Sequence, residues 1–553
     1  MFARRILAAC LGITITLALC WLSVSALGSH GWSFIKALAL LCVLGTAPWT
    51  ALCATNALLG FAVLMFARDP VGHVFAVEDR LPFTGPVPRT AIAVTIRNED
   101  MATVLPPLRR LLDELDSTAH ASAFALFFLS DTQDQAAAKA ERSAIAAFTD
   151  ADPHPSRIFY RRRTENTGFK AGNVMEFLDN HADGFELFLT LDADSEMSAA
   201  AVLRMVRAMA ADPELAIVQH LTVGRPAAAA LPRLFQFGMR AGMRVWATGQ
   251  AWWQGDAGPY WGHNAVLRIA PFKQFCRLPK LPNGEEILSH DQVEAALLAG
   301  AGWKVRALPD EAGSSEANPP ALPEFLRRDA RWLAGNLQYF YLLRMPGFAP
   351  MGRWQLVQAI LLFAGAPLYT AFFTLAAIMA ATGQIVAPGP AAAALLAWLL
   401  ALYLPKLSGY LEILLKPTQR ARYGGAARFV LGALAESLFT LLLDAIGVVS
   451  KTLAMLRLML GARPAWTPQN RADRSIGWWE AARMLWPHTL FGLACFLGYA
   501  RGGWPVLAWA IPLAGGLLLA IPLCVGSADL RLGAWLQRHG VAGIPEELPG
   551  AAE

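Results

Sequence analysis

Apolar positions along this chain follow two different patterns. Ile6 to Leu27 and Ile35 to Phe66 are continuous apolar runs. Each is long enough to cross roughly 30 Å of hydrocarbon as a helix. The first follows Met1-Phe2-Ala3-Arg4-Arg5, a start that also fits a signal peptide. The run is too long for one and no small-residue cleavage site closes it, so an uncleaved helix is expected. Pro48 and Gly60 in the second run predict a tilt or kink. Apolar runs resume after Arg353, where Leu356–Ala381, Ala391–Leu404, Leu485–Ala500 and Val506–Val525 read as spanning segments. Phe429–Leu460 is apolar too, but it carries Glu436, Asp444, Lys451 and Arg457. A charge at the centre of a spanning helix costs about 2.5–3.5 kcal/mol on insertion scales. This segment is therefore expected to lie in the membrane interface, which leaves six spanning helices.

Between Arg68 and Arg353 the pattern changes to short apolar runs alternating with amphipathic stretches. Thr90–Ile96, Ala123–Leu129 and Leu187–Leu191 read as buried strands and Ile158–Tyr160 as a short one. Val104–Leu115 and Gln135–Phe148 have helical periodicity. Strands alternating with helices predict a mostly parallel, doubly wound α/β sheet, whose ligands bind beyond the carboxyl ends of the strands. The expected division is 1–67 for two membrane helices, 68–353 for the α/β domain and 354–428 for a helix pair with a basic loop. It continues with 429–483 for the interfacial helix and a following loop, and 484–553 for a last helix pair and tail. With the N-terminus inside, the α/β domain and the basic residues Lys406, Lys416, Arg420, Arg422 and Arg428 are cytoplasmic. The opposite loop, Gly383–Pro388, carries no charge, as the positive-inside rule requires.

Composition supports this division. Of 553 residues, 55% are hydrophobic and only 16% charged, against about 25% charged in soluble chains. Mean hydropathy is +0.38. These values exclude a disordered, collagen-like or wholly soluble chain. A net charge of +5 is too mild to indicate nucleic acid. Six of the seven cysteines sit in or beside apolar runs and no pair has metal-site spacing, which fits small apolar residues in a reduced compartment.

The middle region carries the candidate chemistry. The strand ending at Asp192-Ala193-Asp194 delivers two carboxylates to its carboxyl end. If the chain turns there, both can address one divalent cation, Mg²⁺ or Mn²⁺, that in turn holds substrate phosphates. A turn and helix cap explain the same residues. Asp131 follows another strand and can accept from a nucleobase N–H, or close an Asx turn. Arg161-Arg162-Arg163, then Gly168-Phe169-Lys170-Ala171-Gly172-Asn173, suits a pyrophosphate approached by backbone and a point charge, or a solvated basic face. In Ser289-His290-Asp291, Asp291 can serve as general base for an acceptor hydroxyl, and Ser289 can cap a helix. Trp246, Trp252, Trp253, Tyr260 and Trp261 precede Gly262-His263-Asn264 and read as a sugar-stacking groove, with an aromatic core as the rival. Arg328-Asp329-Ala330-Arg331-Trp332 pairs cations and an indole for a leaving diphosphate and a sugar.

In this order, the motifs resemble the processive family 2 glycosyltransferases, whose pattern is D, D-x-D, (T/E/H)-D, Q-x-x-R-W. The match covers about residues 89–335. Within that family, Tyr260–Ala265, Ile287–Leu297 and Arg327–Leu337 are nearest to the enzymes of osmoregulated periplasmic glucan synthesis.

The resemblance implies a GT-A domain between membrane helices of the bacterial inner membrane. It implies inverting transfer from UDP-glucose, with Mg²⁺ or Mn²⁺, to a growing β-glucan that is exported across the lipid bilayer. Asn98, Glu99, Asp131, Lys170 and Asn173 would face the nucleotide, and Asp192 and Asp194 the diphosphate and metal. Asp291 would be the base. Arg328, Arg331 and Trp332 would hold the diphosphate and acceptor end, and Trp261, Gly262, His263 and Asn264 would form the acceptor pocket. Trp466, Thr467, Gln469 and Arg471 occupy the place of a gating loop. Acyl carrier protein and a periplasmic glucan-processing protein are the further partners it suggests. Arg97 and Arg328 depart from the commoner family residues. A cellulose-like synthase is the rival within the class. A transporter with a nucleotide-sensing domain is the rival outside it, though the helix centres lack the ionisable residues such a protein shows.

Overall fold

In a computed structural model, residues 1–76, 86–462 and 473–548 are described. Ten strands run in chain order: β1 Thr90–Ile96, β2 Phe124–Ser130, β3 Ile158–Arg162, β4 Leu187–Asp192, β5 Glu196–Met197, β6 Leu215–His220, β7 Val223–Gly224, β8 Ala265–Arg268, β9 Lys304–Leu308 and β10 Ser314–Glu316. Seven form one sheet in the order β3-β2-β1-β4-β8-β6-β9, and a small sheet has the order β5-β10-β7. β1 to β4 of the main sheet are parallel, as the alternating pattern predicted.

β8 departs from that pattern. It runs antiparallel to both β4 and β6, so the sheet is mixed. The turn before it causes the reversal. Gly262 and Asn264 adopt positive φ of 87° and 50°, and the Asn264 N–H donates to the Thr190 carbonyl at 2.8 Å. The chain thereby re-enters the sheet beside β4, pointing the opposite way.

Side chains alternate across the strands and divide the core into two layers. Ile92, Val94, Leu126, Phe128, Leu189 and Leu191 pack with the helices Met101–Asp116 and Ala199–Ala211. On the other face Ala91, Ala93, Phe127 and Phe188 meet the helix Phe169–Asn180, with Ile269, Phe272 and the helix Asp291–Gly300. With most strand residues between spent on packing, the polar chemistry of the site gathers at the strand ends.

Five helices among the described residues are long and apolar enough to cross a membrane: Phe2–Leu27, Phe34–Phe66, Pro350–Ala381, Pro388–Leu415 and Ala426–Met459. A sixth is formed if Trp504–Leu518 and Ala520–Ser527, bent by 62° at their junction, count as one span. The chain is a membrane protein. The segment expected as Leu485–Ala500 lies within the helix Trp478–Arg501, where Trp486-Pro487-His488 and Arg501 dilute the apolarity and keep it out of that set.

Three of the four charges that argued for an interfacial Phe429–Leu460 have partners. Glu436 accepts from Lys406, Tyr410 and Thr440, and Asp444 accepts from Tyr403 at 2.9 Å. Lys451 bonds Asp329 at 2.7 Å.

Gly60, read from sequence as a kink, is instead a crossing point. A Cβ there would come within 1.8 Å of the Val245 carbonyl oxygen, and one at Gly249 within 2.0 Å of that of Asn56. The helix Ala230–Gln254 thus lies backbone to backbone on Phe34–Phe66, the close approach that small residues allow. This contact fastens the α/β domain to the membrane helices.

Candidate active site

The carboxyl ends of β1, β2 and β4 open into a cleft of about 340 Å³. Glu99, Asp131, Lys170, Asn173, Asp192, Asp194, Trp261, Gly262, His263, Asp291, Arg328, Arg331 and Trp332 all line it. These thirteen residues were expected at the site, and the fold gathers them from Glu99 to Trp332 into one cleft. Asn98 and Asn264 do not line it. Asn98 has φ 55° and its N–H donates to Thr132 Oγ1 at 2.8 Å. Asn264 is fully buried and donates to Ser314 Oγ at 2.9 Å. Both therefore shape turns beneath the cleft. Trp466, Thr467, Gln469 and Arg471 lie outside the described residues.

At the end of β4, Asp192 sits opposite Thr95 of β1, whose hydroxyl donates to it at 3.3 Å. Reciprocal bonds of 3.0 Å between Asp192 and Ser195 close a turn. That turn brings Asp194 back to the same cleft. Lys170 Nζ bonds the Asp192 carboxylate and donates to the Gly262 carbonyl at 2.8 Å. Among the described residues no cluster of three His, Cys, Asp or Glu could enclose a metal. Two carboxylates open to the cleft fit a cation whose remaining ligands are water and phosphate oxygens, the usual arrangement for Mg²⁺.

The basic run does not do what its composition suggested. Arg163 grips the Asp131 carboxylate through two bonds of 2.7 Å and holds the carbonyls of Thr167 and Phe169 at 2.9 Å. Arg161 pairs with Glu176 at 2.8 Å, and Arg162 donates to the Thr132 carbonyl at 3.0 Å. All three brace the walls of the site. The glycines serve the loop as well. Gly168 has φ 71°, and a Cβ on Gly172 would lie 2.1 Å from the Thr167 carbonyl oxygen. Lys170 alone of this motif's cations reaches the cleft.

The aromatic groove is corrected in the same way. Trp252 and Trp253 belong to the helix Ala230–Gln254. Trp253 donates to Asn56 Oδ1 at 2.8 Å, and Arg4 lies over the Trp252 ring at 4.8 Å. Trp246, seven residues before Trp253 on the same face, stands beside Cys53. Tyr260 is buried in the sheet core. Only Trp261 remains to face a sugar.

Asp291 is the first residue of its helix. His290, not Ser289, takes the cap position; the Ser289 carbonyl accepts from Tyr339 at 2.8 Å. His290 Nδ1 lies 3.0 Å from the Glu294 carboxylate. Burial alone would lower the His290 pKa, but Glu294 outweighs it and raises it. Asp291 faces Gly262, where a Cβ would stand 3.2 Å from its carboxyl carbon. On the opposite wall the Arg328 guanidinium stacks on the Trp332 ring at 4.5 Å, and burial holds its pKa below the usual value. Trp332 is 48% exposed and lines the cleft.

Sequence reasoning missed Asn166, Phe169, Glu316, Asn318 and Glu324, which also line the cleft. Asn166 holds the Asp131 carbonyl at 2.9 Å. Glu324 accepts from Arg474 at 2.9 Å, so the segment after residue 472 is tied to the rim. Pro319-Pro320, just ahead of the Arg328 helix, was the one available signal that a shaped loop lay there.

A doubly wound sheet with paired aspartates at a central strand end, a third aspartate facing them and an Arg-Trp helix opposite defines a glycosyltransferase site of the GT-A type. Residues 92–275 match Glycosyl transferase family 2, and residues 187–406 match Glycosyl transferase family group 2. A mannosyltransferase from Pyrobaculum calidifontis, 18% identical, covers 65% of this chain and 98% of its own at a TM-score of 0.40.

Longer relatives are more informative. The glucans biosynthesis glucosyltransferase H of Bradyrhizobium diazoefficiens is 33% identical over 544 residues, 93% of this chain and 71% of that protein. The protein of the same name in Xanthomonas campestris pv. campestris is 31% identical over 563 residues, 97% of this chain and 86% of the relative. That of Caulobacter vibrioides is 33% identical over 523 residues, 89% and 77% of the two chains. The chain belongs to the glucans biosynthesis glucosyltransferase H family.

Proposed function

We propose that this glycosyltransferase takes glucose from UDP-glucose and adds it, with inversion, to the β-glucan backbone of osmoregulated periplasmic glucans. The observation that carries the reading is the position of Asp291. It shares one cleft with Asp192, Asp194 and Lys170, and only the missing side chain of Gly262 separates it from the floor.

Asp131 and Glu99 hold the uridine end of the donor. Asp291 accepts the proton of an acceptor hydroxyl. The freed oxygen attacks the anomeric carbon on the face opposite the diphosphate, and the bond from that carbon to the leaving oxygen breaks. One in-line displacement turns an α-linked donor into a β-linked product. Lys170 and Arg331 meet the charge that develops on the departing diphosphate. A divalent cation, Mg²⁺ or Mn²⁺, held by Asp192 and Asp194 would neutralise diphosphate charge when bound. Trp332 and Trp261 offer ring faces to the acceptor sugar.

The same proposal places the catalytic domain on the cytoplasmic face of the inner membrane, with Ala426–Met459 lying along the interface and the helix Trp478–Arg501 taken as the sixth span despite its lower apolarity. Support comes from its contacts. Glu436, in its first half, sits against Gly238 of the helix Ala230–Gln254, while Lys451, in its second, bonds Asp329 on the Arg-Trp helix. Both halves touch the catalytic domain, while Ala445, Val449 and Thr452 pack on the helices Pro350–Ala381 and Trp504–Leu518, so the helix runs between the domain and the membrane helices. Export of the glucan, a gating role for the loop bearing Trp466, and docking of acyl carrier protein and a periplasmic processing protein belong to this reading.

Replacing Asp291 by Asn tests it. UDP should still bind, while turnover of UDP-glucose falls by about 10²-fold or more. Near-normal turnover removes Asp291 from the role of base.

A further inference from the structure

Glu316 has no part in the transfer outlined above, yet it is a half-buried acid on the wall of the cleft. It ends β10, and β10 pairs with β5, which follows directly on the Asp192–Ser195 turn. Its Oε2 lies 3.4 Å from His263 Nε2. Burial raises the Glu316 pKa against the opposing pull of His263. Burial would lower that of His263, but Glu316 outweighs it and His263 is also raised.

The turn that carries His263 is tied down from two further directions. Asn264 is bonded to Ser314 at the start of β10. Gln219 of β6 donates to the His263 carbonyl at 2.9 Å and accepts from the Trp261 N–H at 2.8 Å. So β10 fixes both the backbone of this turn, through Asn264, and its one polar side chain facing the cleft, through Glu316. The residue just before His263 is Gly262, the one that faces Asp291. A sugar whose hydroxyl reaches Asp291 over Gly262 next meets the His263 imidazole. An imidazole beside a carboxylate offers a donor and an acceptor together, the pair that neighbouring sugar hydroxyls can bridge.

We propose that Glu316 is a positioning residue. Through His263 it holds the terminal sugar of the acceptor against Asp291, and so sets the share of glucosyl groups passed to glucan rather than to water. The inference rests on the reading of Asp291 as base and UDP-glucose as donor. The rival role for Glu316 is that of counter-charge to the buried Arg328, which feels it most strongly among the acids nearby.

The test uses the full chain in lipid vesicles with UDP-glucose and Mg²⁺, following UDP release and glucan formed in the same sample. Glu316→Gln and His263→Gln should each lower glucan formed per UDP released by about tenfold. The double variant should be no worse than either single one, because both act through one contact, and UDP affinity should stay within about twofold. Glu316→Asp should recover part of the ratio. The proposal is overturned if turnover falls while the ratio stays at the wild-type value, as a counter-charge role requires. Additive losses in the double variant, or loss of UDP affinity, also overturn it. Failure of the donor reading looks different: the wild-type protein itself then releases no UDP from UDP-glucose.

Discussion

On the donor side of the cleft, Asp131 directly follows β2 and Asp192 ends β4, the two strands that flank β1. Lys170 opens the helix after β3. Each of these groups is placed by the strand or helix that immediately precedes or carries it. On the acceptor side, Gly262 and His263 sit in a turn between β4 and a reversed strand, and Asp291 begins a helix almost thirty residues later. Glu316 comes from the small sheet, and Trp332 from a helix tied to Ala426–Met459. These elements come from separate parts of the chain and are joined by cross-contacts, such as those of Ser314 and Glu316 with the turn. The Lys451–Asp329 pair makes the tie between the Arg-Trp helix and Ala426–Met459.

Substitutions should separate the two sides. The largest effect is expected at their meeting point. Gly262→Val places a side chain at φ 87° and against Asp291, and displacing the base by about 1 Å can cost about 10²-fold in turnover. UDP affinity, measured by titration, should survive, and parallel loss of both would merge the sides. Next is Asp194→Ala, which should weaken the metal-dependent part of UDP binding by about 10–100-fold while metal-free binding is kept. An unchanged response to chelator would take Asp194 out of the metal site.

Smaller effects probe the supports. Arg163→Gln leaves the Asp131 carboxylate without its two-pronged partner, and should destabilise the domain by about 2 kcal/mol, read as a lower Tm for the protein in detergent. The smallest effect concerns Glu311, which pairs with Arg240 at 3.0 Å and Arg422 at 2.7 Å. Burial alone would raise its pKa, but Arg240, Arg244 and Arg422 outweigh burial and hold it at about 2, below its ordinary 4.5. A depressed pKa means that the contribution is complete above about 4.5 and is lost as pH falls from there toward about 2. Arg240 also binds Glu546, so protease access to the C-terminal segment should rise in this window. The rise should be shallower in Glu311→Gln, and identical curves would deny Glu311 the role.

The same division explains what could be read in the sequence. β1 was legible to the residue, and β2, β3 and β4 to within two, because buried parallel strands are short unbroken apolar runs. The ends of those strands then pointed to Asp131, Asp192 and Asp194. β8 was not legible, since its direction is set by the positive-φ turn at Gly262 and Asn264 and not by its own residues. Trp252 and Trp253 misled because a helix packed on membrane helices has the aromatic content of a sugar groove. Arg161 to Arg163 misled because a charge run does not reveal whether its partners are ligands or carbonyls. Glu316 escaped because the strand that carries it is three residues long and owes its position to β5 and β7.

The central claim is that this cleft transfers glucose from UDP-glucose to glucan. Its most direct test is the purified full chain in lipid vesicles, supplied with UDP-glucose and Mg²⁺ and compared with the same sample plus EDTA. The account predicts UDP release together with a β-linked glucan, both lost on chelation. Release from another nucleotide sugar but none from UDP-glucose, or no release from any, would contradict it.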